Sequence, residues 1–156
     1  MKKTYTLFIS FVFILGGFLQ GQTLTLSMAN AMVSGTAPNQ VFEFDIMMAC
    51  NQAGVYLSSG QVYVNYNTTA FGVSAVASNN LAITRSTMIT TQYFFGTPRD
   101  NSISRATSNF FSFNISPPNP TDYVEVPTTA TPAWHFAFDI SNINQTAGVN
   151  FDQVLS

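Results

Sequence analysis

Residues 41–49 alternate between large apolar and polar side chains. Phe42, Phe44, Ile46 and Met48 share one parity, and Glu43 and Asp45 fall between them. Successive side chains of a strand point to opposite faces, so this pattern predicts a strand with one oily and one hydrated face. Residues 133–142 repeat it: Trp134, Phe136, Phe138 and Ile140 share one parity, and His135 and Asp139 lie on the other. These two stretches supply the largest apolar side chains of one core, and the remaining segments complete it.

Further alternation follows at residues 23–33, through Leu24, Leu26 and Met28, and at 61–66, where Val62, Val64 and Tyr66 oppose Tyr63 and Asn65. Residues 109–116 place Phe111, Phe113 and Ile115 on one parity. Shorter β candidates are 55–57, 71–76, 81–84, 88–95, 122–126 and 149–151. Turn-forming clusters at 34–39, 51–54, 97–101 and 117–120 separate them. Pro127 and Pro132 flank the 122–126 stretch and predict an edge position for it. The pattern amounts to roughly eight or nine short strands, with no helix of useful length and no repeat at a fixed spacing. The expected fold is all-β, an antiparallel β-sandwich forming a single domain over residues 23–156.

Residues 1–22 have the layout of a secretory signal peptide. Lys2 and Lys3 give a positive start, an apolar run follows from Leu7 to Leu19, and Gly21 offers a small residue at the cleavage point. The apolar run is shorter than the ~20 residues a spanning helix needs, and Gly16-Gly17 interrupts it. The expectation is an exported chain, secreted or at the cell surface, with no membrane span after signal removal. The chain of 156 residues also reads as the front part of a longer protein, since it stops soon after Phe151.

Composition sharpens this picture. Only 8% of the residues are charged, while Ser, Thr, Asn and Gln together number 55. Thr packs well on pleated surfaces, and Asn, Ser and Gly shape turns, which suits an extracellular β protein. Without the leader, three Arg face seven acidic residues, a net charge of −4. Nucleic-acid binding needs clustered Lys and Arg, so that class of partner is excluded. Cys50 is the sole cysteine, which rules out an internal disulfide, and it reads as a small apolar residue at a strand end.

Candidate chemistry is sparse. Glu43 and Asp45 share a strand face about 7 Å apart, a spacing that paired carboxylates of a glycosidase also adopt. His135 is the single histidine and alternates with core aromatics, so it is expected to face outward. No Gly-x-Ser-x-Gly elbow accompanies it. One His and one Cys cannot build a zinc site. Asp100-Asn101, Asp139 with Asn142, and Asn150 with Asp152 are thin calcium candidates that turn chemistry explains more simply. The reading is therefore no enzyme, no catalytic residues, no metal and no cofactor. Among Tyr56, Tyr63, Tyr66, Tyr93 and Tyr123, Tyr63 is the best candidate for stacking on a sugar, because it lies off parity with Val62 and Val64. Asn67, Asn114 and Asn144 each open a glycan-acceptor triplet.

Several stretches carry a resemblance. Gly-Gln-Thr-Leu-Thr-Leu closes the leader. Val-Phe-Glu-Phe-Asp-Ile follows, then Gly-Gln-Val-Tyr-Val-Asn-Tyr-Asn, then Trp-His-Phe-Ala-Phe-Asp-Ile-Ser. Over most of residues 23–151 the chain resembles the N-terminal β-sandwich domains of large secreted Bacteroidetes surface proteins. Those domains are similar to cohesin and other immunoglobulin-like sandwiches, and their parent proteins are commonly exported by the type IX route. The resemblance implies a surface adhesion or protein-interaction module whose partners are other surface proteins or extracellular glycans. A carbohydrate-binding module accessory to a polysaccharide-degrading enzyme is the alternative.

Overall fold

A computed structural model describes residues 21–86, 88–89, 94–95, 98–103, 110–117 and 119–151. Residues 1–20 of the expected signal peptide, Tyr93 and Asp152 lie outside the described residues. Among the described residues no helix is long and apolar enough to cross a membrane. The chain is mostly β, in antiparallel sheets.

Eleven strands are described, β1 (Leu24–Thr36), β2 (Asn39–Cys50), β3 (Tyr56–Leu57), β4 (Gly60–Asn65), β5 (Leu81–Arg85), β6 (Phe94–Phe95), β7 (Arg99–Asp100), β8 (Phe110–Ser116), β9 (Val124–Glu125), β10 (Thr131–Asp139) and β11 (Asn150–Phe151). A single helical turn, α1 (Thr68–Phe71), and a 3-10 turn at Pro120–Asp122 interrupt them. The first sheet has the order β1-β2-β10-β5. The second has the order β11-β4-β8-β6, with β7 also on β8, and β3 and β9 form a small third sheet.

The two stretches with the strongest alternation are direct neighbours. β2 and β10 pair with Phe136 opposite Phe44, Phe138 opposite Phe42 and Trp134 opposite Ile46. Their rings face inward, and Phe44 and Phe136 stack at 5.0 Å. The second sheet answers with Val62 and Val64 from β4 and with Phe111, Phe113 and Ile115 from β8, all buried. Phe113 meets Trp134 edge-on at 5.3 Å, and Phe111 meets Phe136 at 5.7 Å, so the two sheets share one aromatic core. Offset and edge-on ring pairs of this kind add about 0.5–1.5 kcal/mol each beyond their burial.

Two bulges adjust the first sheet. In β1, Asn30 and Ala31 together oppose the single residue Phe44, and Asn30 takes a left-handed φ of 56°. A bulge of this kind needs a residue that tolerates positive φ, which Gly and Asn do best. In β10 the register shifts between Pro132 and Trp134, so that Ala133 and Trp134, adjacent in sequence, are both buried. Pro132, opposite Met47, sits next to this bulge, one of the few places in a sheet where proline is found.

Other expectations need correction. β1 runs to Thr36, beyond residue 33, and the hairpin to β2 turns at Ala37-Pro38 alone, across a cis peptide bond. Gly35 has a φ of 78°, and a Cβ there would lie 2.5 Å from the Asn39 carbonyl oxygen, so only glycine fits. Residues 71–76 are not a strand. Asn67 caps α1 by accepting the Thr69 N–H at 2.9 Å, which turns the backbone helical and carries Ala70 and Phe71 into the core. Met88 and Ile89 lie in a turn, and within 88–95 the described strand is Phe94–Phe95. Arg99 and Asp100, expected to end a strand, form β7 and pair with Ser112 and Phe111.

Candidate functional site

Alternation in β4 buries Val62 and Val64 and turns Gln61, Tyr63 and Asn65 to the outer face of the second sheet. The residues paired with them on β8 share that face, because directly opposed antiparallel residues point the same way. Gln61 stands opposite Asn114 and Tyr63 opposite Ser112. On the far side of β8, Arg99 stands opposite the same Ser112. Tyr63, Ser112 and Arg99 therefore form one row across three strands.

Gln61, Arg99, Ser112 and Asn114 line an open recess of about 240 Å³ on this face. Ser112 forms its floor and is only 5% exposed. The Gln61 amide donates to the Ser112 hydroxyl at 3.5 Å, and the Tyr63 hydroxyl donates to the Gln61 side-chain carbonyl. Farther along the face, Asn65 donates to the Asn150 side chain at 2.9 Å, which brings β11 into the same polar surface.

Arg99 and Asp100 point to opposite faces of β7. Asp100 turns inward, accepting the Tyr66 hydroxyl at 2.7 Å and the Ser102 N–H at 2.9 Å. Burial pushes the Tyr66 phenol up to about 12; the Ser102 bond opposes the rise and the Asp100 carboxylate adds to it. This inward network ties β7 to the loop after α1, since Ser74 N–H also donates to Ser102 Oγ at 2.6 Å. Arg99 is left at the recess, exposed, with no ion pair among the described residues.

The expected acidic pair lies on the outer face of the first sheet, and His135 lies with it. His135 Nδ1 is 2.9 Å from Asp45 Oδ1, and its Nε2 is 3.5 Å from Glu43 Oε1. The bulge in β1 directs the Asn30 amide onto Asp45 Oδ2 at 2.7 Å. Burial alone would raise the Asp45 carboxyl, but the bonds from Asn30 and His135, with the His135 charge, hold it below its ordinary value. His135 faces outward as expected, with its side chain 42% exposed. Glu43 and Asp45 are bridged by this imidazole rather than left facing an open cleft.

The remaining candidates scatter. Tyr56 and Tyr123 are exposed, whereas Tyr66 is buried in the core, so the tyrosines do not make one platform. Cys50 closes β2 and is buried. Asn67 spends its side-chain amide on the Thr146 carbonyl at 2.8 Å, at the surface. Asn150 is engaged with Asn65 and Gly148. Among the described residues no group of three or more His, Cys, Asp and Glu is placed to hold a metal ion. An apolar recess of about 170 Å³ lies at one end of the core, lined by Val33, Phe42, Phe71, Ile140 and Ile143 among others.

Sequence reasoning places Tyr63 on this outer face from its parity but misses the residues that line the recess, Arg99, Gln61, Ser112 and Asn114; Tyr63 adjoins the recess without lining it. The usable signal was the shared parity of Gln61 with Tyr63 and of Ser112 with Asn114 on two alternating strands. No protein-family model, curated protein or solved structure matches the chain.

Proposed function

We propose that the chain is an exported, non-enzymatic β-sandwich that works as an adhesion or interaction module at the cell surface, gripping extracellular partners through the outer face of its second sheet. The observation that carries this reading is the recess framed by Gln61, Arg99, Ser112 and Asn114. It is open, polar and mounted on paired strands, which hold side chains more rigidly than loops do. Most of the large aromatic rings are spent in the core, so recognition falls mainly to the amide, hydroxyl and guanidinium groups of this face, with Tyr63 beside them.

Tyr63 favours a glycan over a protein as the partner. An aromatic ring beside several amide and hydroxyl groups matches a sugar, which presents an apolar ring face and an edge of hydroxyls. The test is adhesion of the purified, surface-immobilised chain to a panel of glycans and extracellular proteins. Specific capture that falls at least tenfold in a Gln61→Ala, Asn114→Ala double variant supports the reading. Capture unaffected by that variant overturns it, as does turnover of a polysaccharide that Glu43→Ala abolishes.

A further inference from the structure

We infer that the recess on the second sheet is a binding site for a carboxylate-bearing sugar, a uronic acid residue of an acidic glycan, with Arg99 taking the carboxylate and Tyr63, which adjoins the recess in the same cross-strand row, meeting the ring at its edge. The inference rests on the glycan reading above and specifies the chemistry of its ligand.

The first observation concerns charge. Among the described residues there are two arginines, Arg85 and Arg99, and no lysine, and His135 lies on the other sheet against Glu43 and Asp45. Arg85 belongs to β5 in the other sheet and is engaged with a partner of its own. Arg99 has no ion pair among the described residues, although the chain as a whole is acidic. Asp100, the nearest carboxylate in sequence, is held on the opposite face by Tyr66 and Ser102. The four residues lining the recess therefore carry one charge, a guanidinium. Its planar fork of donors matches a carboxylate in a two-point contact, which a neutral sugar hydroxyl cannot reproduce.

The second observation concerns geometry. Tyr63 and Arg99 are each paired with Ser112, one from either side of β8. Neighbouring strands lie about 4.8 Å apart, so the two backbones are separated by roughly 10 Å. That span accommodates one sugar ring over the Ser112 floor, with its carboxylate toward β7 and its ring face toward β4. The recess volume of about 240 Å³ suits a single residue of a polymer whose neighbours extend over the exposed face. Gln61 and Asn114 supply both donors and acceptors for ring hydroxyls.

Isothermal titration of the purified chain tests this with oligomers of galacturonate, glucuronate and mannuronate. Each oligomer is compared with its own carboxyl-reduced, neutral counterpart. At least one uronate is expected to bind about tenfold or more tightly than its reduced form, with the difference shrinking as salt rises. Arg99→Gln should lower affinity for that uronate to the level of the reduced oligomer and leave the reduced oligomer unaffected. Tyr63→Ala should weaken both, and Arg85→Gln neither. Arg99 is exposed, so Arg99→Gln should melt within a few degrees of the parent. Equal binding of acid and reduced forms, or full uronate affinity in Arg99→Gln, overturns the carboxylate assignment. If neutral sugars then still bind in a Tyr63-dependent way, the adhesion reading survives without it. If no oligomer binds and the adhesion panel is also silent, both fall.

Discussion

His135 and Asp45 face each other directly across the β2–β10 pair, with imidazole Nδ1 2.9 Å from carboxylate Oδ1. The same carboxylate receives the Asn30 amide from β1, so one side chain of β2 is tied to both neighbouring strands. Asn30, Asp45 and His135, on three neighbouring strands, thus act as a cross-strand clasp, with Glu43 closing its outer side at 3.5 Å from Nε2.

This clasp makes stability depend on acid. Asp45 is held below its ordinary carboxylate value in the fold, so the unfolded chain takes up its proton first as pH falls. The contribution is fully present above the unfolded carboxylate range and is lost as pH drops through the lower folded value. Urea unfolding at pH 7 and pH 3 should therefore show a steeper loss for the parent than for Asp45→Asn. At pH 7, Asp45→Ala should cost roughly 1–2 kcal/mol, the scale of losing charged hydrogen bonds at a partly exposed site. An Asp45→Asn profile superimposable on the parent's would remove the carboxylate from the acid response.

Asn30 has two separable roles, backbone and side chain. Its φ of 56° favours Gly or Asn, and its amide holds Asp45. Asn30→Gly should keep the bulge and lose only the hydrogen bond, about 1 kcal/mol. Asn30→Ala should lose the bond and also add left-handed strain of about 1–2 kcal/mol. In both variants the Asp45 carboxyl, followed by carbon-detected NMR titration, should titrate at higher pH than in the parent. An unchanged Asp45 titration in Asn30→Gly would show that the amide does not set it.

The inward faces of β2, β4, β8 and β10 are readable from alternation, because burial against a second sheet leaves little tolerance for a polar side chain on that parity. The bulges are not. At Asn30 and at Ala133 one extra residue shifts the parity, and nothing in apolar spacing marks the step. Phe71 misleads for a related reason: its apolar neighbours suit a strand, while Asn67 supplies the cap that makes a helical turn. The face that carries the recess is readable, since parity turns Tyr63 and Gln61 outward, but the recess itself is not: Arg99 sits behind Pro98 in a stretch that reads as a turn. Only pairing with Ser112 brings Arg99 to the same face.

Tyr66 gives an alkaline counterpart to Asp45. Burial, with the Asp100 carboxylate beside its hydroxyl, pushes the phenol up to about 12, against about 10 in an unfolded chain. The folded state holds this proton more tightly, so its contribution is intact below pH 10 and is lost as pH rises from about 10 towards 12. Ultraviolet titration of tyrosinate absorbance should show one late step that disappears in Tyr66→Phe. In Asp100→Asn the step should move to lower pH, because the neighbouring negative charge is gone. A Tyr66→Phe titration identical to the parent's would place the late step elsewhere.

Two core aromatics of the same strand should respond differently to substitution. Phe136 is fully buried and touches rings from both sheets, Phe44 at 5.0 Å and Phe113 at 5.6 Å. Phe136→Ala should cost about 3–5 kcal/mol, because the packed sheets cannot close over the missing ring. Trp134 is equally buried, but its indole Nε1 has no hydrogen-bond partner among the described residues. Leaving such a donor unpaired costs about 1–3 kcal/mol, which Trp134→Phe recovers while keeping an aromatic ring against Phe113. That recovery offsets much of the lost volume, so Trp134→Phe should shift the urea midpoint far less than Phe136→Ala does. The slope of each transition should stay as in the parent, since both variants bury nearly the same surface. Equal losses in the two variants would mean that the indole N–H is paired in the folded protein and that Trp134 contributes as a hydrogen-bond donor as well as a ring.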